Sequence, residues 1–126
     1  MTKLVSVLAA TLLAAALAGA SFAAEPSAAT EREIAHLFAY LQASGCDFFR
    51  NGSWHNSTEA AFHLNRKYRD LLSKGPVPSA EAFIEKAASK SGISGKAYRV
   101  RCGSRPPVNS ADWFGAELER YRGEQP

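Results

Sequence analysis

Two cysteines, Cys46 and Cys102, are the whole sulfhydryl content of this 126-residue chain. Whether they join decides how its two halves can be arranged. Thiols are kept reduced in the cytosol and pair outside it, so the question turns on compartment. The N-terminus answers with an address. Lys3 is followed by an uncharged run rich in Ala, Leu and Val from Leu4 to Leu17, and then by Gly19-Ala20-Ser21-Phe22-Ala23. A positive start, an apolar middle and small residues at Ser21 and Ala23 are what a signal peptidase reads. Cleavage after Ala23 fits best, with Ala20 as the second choice. The apolar run is shorter than the ~20 residues of a bilayer span. A cleaved leader is therefore expected over 1–23, with no lipoprotein anchor and no transmembrane segment after cleavage. The expected location is the periplasm or the secreted space.

A disulfide between Cys46 and Cys102 follows from that location. Closing the long loop between them removes unfolded-state entropy worth about 4 kcal/mol in the chain-entropy model. About 100 residues remain after cleavage, enough for one domain with a modest core. The chain's net charge is +3, of which Lys3 contributes one unit. So weak a bias in an exported chain argues against nucleic acid as a partner.

Local patterns set the element order. Residues 24–29 are small and polar and are expected to be flexible. Thr30 to Glu33 has the spacing of a capping box, and Ile34, Leu37, Phe38 and Leu41 follow at helical intervals. Gly45 suits a left-handed helix end. Cys46 to Arg50 is expected as a strand, Asn51-Gly52 as a tight hairpin turn, and Ser53 to His55 as the return strand. Asn56 or Ser57 caps a second helix bearing Ala60, Ala61, Leu64, Tyr68, Leu71 and Leu72 inward. Gly75 to Pro78 stops it. Ser79 caps a third helix that Gly92 ends. Ala97 to Cys102 alternates as a half-buried strand, with Tyr98, Val100 and Cys102 on one face and Arg99 and Arg101 on the other. If this strand pairs antiparallel with the first so that Cys46 meets Cys102, then Phe48 meets Val100 and Arg50 meets Tyr98. A stiff Arg105-Pro106-Pro107 loop leads to Ser110, which caps a last helix. The fold expected is α+β: about four helices packed on a small antiparallel sheet of two or three strands that includes the Asn-Gly hairpin. One domain spans 30–122, and 123–126 is a tail.

These motifs, in this order, resemble a family. Phe48-Phe49-Arg50-Asn51-Gly52, His55, Glu59-Ala60, His63-Leu64 and Lys67 are similar to the YfeK-like family of small uncharacterised exported bacterial proteins. So are Ala80 to Ile84, Ser94 to Tyr98 and Ser110 to Trp113. The resemblance runs from about Thr30 to Tyr121 and implies a small periplasmic α+β domain, with no activity attached. The Cys46–Cys102 pair is not part of that pattern. Position 55 takes Tyr or His in it, so no strict role for an imidazole there is implied.

The residues that stand out for chemistry gather between 50 and 63. Arg50 and the Asn51-Gly52 turn can present a guanidinium and amides to an anion. Trp54 near the hairpin tip suits a sugar or protein contact if exposed and the core if buried, and burial is the expectation. His55, Glu59 and His63 are spaced by four and would offer two imidazoles and a carboxylate to a metal if one helix carried all three. The cap at Asn56 or Ser57 puts His55 ahead of that helix. Arg99 and Arg101 form a basic strand face, and Arg105 follows it. There is no Cys-x-x-Cys, no Gly-x-Ser-x-Gly and no glycine-rich phosphate loop, so no catalytic set and no cofactor are expected. The reading is a non-enzymatic binding or interaction module of the envelope. Its surface is Arg50, Asn51, Trp54, His55, Glu59 and His63, and its partner is an envelope protein or a small ligand. The alternative is a small periplasmic hydrolase or metal-dependent enzyme using His55, Glu59 and His63.

Overall fold

The computed structural model of the chain describes residues 2–3 and 27–126. The leader and its cleavage site, read over 1–23, fall almost wholly outside the described residues. The first helix, α1 (Ala28–Ala43), is capped by Ser27, whose hydroxyl accepts from the Thr30 amide. The cap thus lies three residues before the expected Thr30. Thr30 is buried inside the helix, its hydroxyl 3.0 Å from that of Ser27. After Ser44 the chain turns at Gly45 (φ 63°) into β1 (Asp47–Arg50). Asn51 and Gly52, with φ of 48° and 86°, make the two-residue turn that only positive-φ residues accept, and β2 (Ser53–His55) returns. Asn56 caps α2 (Ser57–Ser73) by accepting from the Glu59 amide at 2.9 Å. Ser79 caps α3 (Ala80–Ala87) in the same way.

Further boundaries differ from the sequence reading. α3 ends at Ala87, with Ala88 as its C-cap, and not at Gly92: the Ser89 hydroxyl bonds back to the Ile84 carbonyl at 2.7 Å. The chain then forms an isolated bridge, Lys90 with Ala97, ahead of β3 (Arg99–Arg101). The stretch read as pure loop closes with β4 (Val108–Asn109), which pairs with β3. The sheet therefore has four strands in the order β2-β1-β3-β4, all antiparallel, and not two or three. The last helix, α4 (Ser110–Glu124), follows at once, with Asn109 and not Ser110 at its N-cap position. The Ser110 hydroxyl is buried and donates to the Ala88 carbonyl, tying α4 to the end of α3.

In the sheet Phe48 pairs with Val100 and with His55. Carried along the strands, that register sets Cys46 opposite Cys102, and their sulfurs are joined with the Cα atoms 4.4 Å apart. This is the close spacing of a non-hydrogen-bonded antiparallel pair. Phe48, Val100 and Tyr98 turn toward the helices. Phe83 is fully buried among α1 and α2 partners, with its ring centroid 5.5 Å from Phe38 and 5.2 Å from Tyr68. Leu72, expected inward, is 40% exposed near the end of α2. The buried Glu117 carboxylate is a charge the apolar periodicity of α4 did not announce. It is held by Arg120 and by His36 Nε2 at 2.9 Å. The Arg120 hydrogen bonds outweigh burial and keep that carboxyl below its usual range, with His36 adding to the effect. Arg122 pairs with Glu33 of α1 and Glu81 of α3, so three helices share one guanidinium.

Candidate functional site: a cationic cleft beside the hairpin

Strand alternation places Arg50 on the same side of β1 as Phe48, at the point where the strand gives way to the turn. Its guanidinium therefore leaves the sheet at the edge of the core. His55 ends β2 on the same side, opposite Phe48. It precedes α2, as the cap requires, and its Nδ1 lies 2.9 Å from Glu59 Oε2. Glu59, His63 and Lys67 follow each other at four-residue intervals on α2 and so form one stripe facing the hairpin. Lys67 Nζ donates to the Tyr98 hydroxyl at 3.0 Å and to the Lys90 carbonyl at 2.8 Å. His63 Nε2 lies 3.3 Å from that hydroxyl.

The electrostatics follow from crowding. Burial first, then the charges of Arg50, Lys67, Arg66 and His55, push the His63 pKa down to about 4. The ring is therefore neutral near pH 7. The Tyr98 hydroxyl accepts from Lys67 and shares a second hydrogen bond with His63 Nε2. Burial and Arg50 also lower the Lys67 ammonium. Burial raises the Tyr98 phenol, while Arg50 pulls it the other way. Among the described residues Arg50, Arg66 and Lys67 form no salt bridge. Among the described residues Glu59 is the one carboxylate lining the cleft.

Behind these groups is a cavity of about 40 Å³. Its walls are apolar, from Leu41, Phe48, Ala60, Leu64 and Phe114, and its mouth carries Arg50, His55, His63 and Tyr98. The mouth opens into a broader surface depression bordered by Thr58, Glu59, Phe62 and Arg66. Phe62 is 70% exposed at that border.

Of the six residues expected to share a surface, Arg50, His55, Glu59 and His63 converge here. Asn51 does not: its side-chain oxygen accepts from the Ser94 hydroxyl at 3.1 Å and ties the turn to the loop before β3. Trp54 lies across the sheet, paired with Phe49, and is half-buried, not part of the core. The Phe49 ring lies 5.2 Å from it, and the Arg101 guanidinium sits 4.0 Å from its ring centroid. Arg101 also reaches Asp47 at 3.3 Å, so part of the basic strand face is already engaged. Tyr98 and Arg66 complete the lining, Lys67 stands behind Tyr98, and none of the three was singled out for the site. Lys67 was legible as the next four-residue step after His63, and Tyr98 as the register partner of Arg50. His55, Glu59 and His63 do not form a ligand set. Glu59 is bonded to His55, His63 to Tyr98, and among the described residues no three of His, Cys, Asp and Glu gather to hold a metal.

A family profile described as "Family of unknown function (DUF5329)" matches residues 28–122. "Uncharacterized protein YfeK" of Salmonella typhimurium (strain LT2) is 42% identical over 64 residues, a stretch covering 51% of this chain and 52% of that protein. The chain thus spans about half the length of the relative it matches. No solved structure matches the chain.

Proposed function

We propose, from the premise that this chain belongs to the DUF5329 family and is YfeK-like, that it is an exported, non-enzymatic binding module whose recognition surface is the cationic cleft. The observation that carries this reading is the charge balance of the cleft. Arg50 and Arg66 line one depression, where Glu59 is the one carboxylate among the described residues. Placing cations side by side on partly buried ground costs free energy, which an incoming anionic group offsets. Export is supported by the leader-like N-terminus and by the Cys46–Cys102 bond, which persists in an oxidising compartment. A binding role is supported over a reaction by how the groups are committed. The His63 ring is engaged by Tyr98, Lys67 by Tyr98 and a carbonyl, and both sulfurs by each other.

A photoreactive residue at Phe62 tests the reading in living cells expressing the full chain. It is expected to give a discrete adduct that the same residue at Ile93, 95% exposed in the loop before β3, does not give. Arg50→Ala is expected to remove that adduct. Equal labelling from both positions, or labelling indifferent to Arg50→Ala, contradicts the proposal.

A further inference from the structure

The cleft has two parts of opposite chemistry, and together they specify a ligand more narrowly than its charge does. The inner cavity is walled almost entirely by carbon, while its mouth is ringed by Arg50, His55, His63 and Tyr98. Resting on the binding reading above, we infer that the site takes a small monocarboxylate with a short, unbranched apolar tail. The tail lies in the cavity and the carboxylate on Arg50.

Each half of the site excludes a simpler ligand. An inorganic anion would satisfy Arg50 and leave the apolar cavity unfilled. An uncharged apolar molecule would fill the cavity and cover the Arg50 guanidinium, which among the described residues has no salt-bridge partner, and that is costly. The planar fork of Arg50 fits both oxygens of a carboxylate. Glu59, beside the mouth, repels a second negative charge, so a monoanion is preferred to a dianionic phosphate. Size sets the tail. The cavity of about 40 Å³ exceeds the ~10–15 Å³ that a single water occupies, which leaves room for a tail of a few carbons such as that of butyrate. Acetate leaves most of the cavity empty, and octanoate overfills it. Tyr98, fixed by Lys67 and His63, forms a rigid side of the mouth.

Calorimetric titration of the protein purified from the envelope, with acetate, butyrate, hexanoate, octanoate, butanol and inorganic phosphate, tests this. Butyrate is expected to bind at least about tenfold more tightly than acetate, octanoate, butanol or phosphate, a difference readily resolved. Arg50→Gln is expected to weaken it by about tenfold or more, and Trp54→Phe, on the far face, to leave it unchanged. Ala60→Leu, which fills the cavity and keeps Arg50, is expected to abolish butyrate binding. Phosphate binding as tightly as butyrate overturns the inference. So does affinity that climbs steadily to octanoate, butyrate binding indifferent to both Arg50→Gln and Ala60→Leu, or no binding of any carboxylate at millimolar concentration. If carboxylates fail while the Phe62 adduct still depends on Arg50, this inference falls and the binding reading stands. If both fail, both fall.

Discussion

Burial, reinforced by Arg50, Lys67, Arg66 and His55, brings the His63 pKa from 6.5 down to about 4. A histidine whose folded value lies below its unfolded value favours the fold fully above pH 6.5. That contribution is lost as pH falls from about 6.5 to about 4, because the unfolded chain takes up the proton first. The ring is only partly buried, so solvent screening reduces the effect to about 1 kcal/mol. His63→Gln is therefore expected to flatten the fall in stability between pH 6.5 and pH 4.5, measured by denaturant midpoints. Identical pH slopes for the two proteins would contradict the neutral, crowded imidazole. The spacing of His55, Glu59 and His63 was legible in the chain and suggested a metal. What the ring does is set by Arg50 and Tyr98, which reach it from the sheet, and no local spacing reports that. Trp54 was misplaced for a related reason. Its side of the sheet was open to reading, but the Arg101 guanidinium that half-covers it comes from a strand more than forty residues away.

At the scale of elements, what was local was readable. The Asn51-Gly52 turn, the Asn56 and Ser79 caps and the stop after Ser73 all depend on residues within a turn of each other. Boundaries set by tertiary partners were not. Two hydroxyls, Ser27 and Thr30, compete to start α1, and burial of Thr30 against the core settles the choice. β4 exists because Val108 and Asn109 meet β3, and residues so close to two prolines carry no strand pattern of their own. Ser110 looked like a cap and is a buried tie between α4 and the end of α3. Ser110→Ala is expected to cost about 1–3 kcal/mol, since the Ala88 carbonyl loses its donor in a buried place. Asn109→Ala, at a cap position with no side-chain bond, is expected to cost only a few tenths of that range. Urea unfolding midpoints decide it, and a larger loss from Asn109→Ala than from Ser110→Ala would contradict the buried tie.

At the scale of the molecule, the disulfide joins strands β1 and β3, whose order in the sheet places them side by side at its centre. The α+β class followed from the order of caps, turns and alternation, and the pairing of Phe48 with Val100 from setting Cys46 opposite Cys102; both are present. The cleft depends on the same register, since moving β3 by one residue would turn Tyr98 away from Lys67 and His63. In the proposed reading the binding form is a chain that has been exported, trimmed and oxidised. The intact mass of the protein recovered from the envelope fraction, taken without reduction, measures all three together. The account predicts a chain beginning at Ala24 that is two hydrogens lighter than its thiol form and takes up no alkylating reagent until it is reduced. A full-length chain in the cytosol with Cys46 and Cys102 both open to alkylation would contradict it.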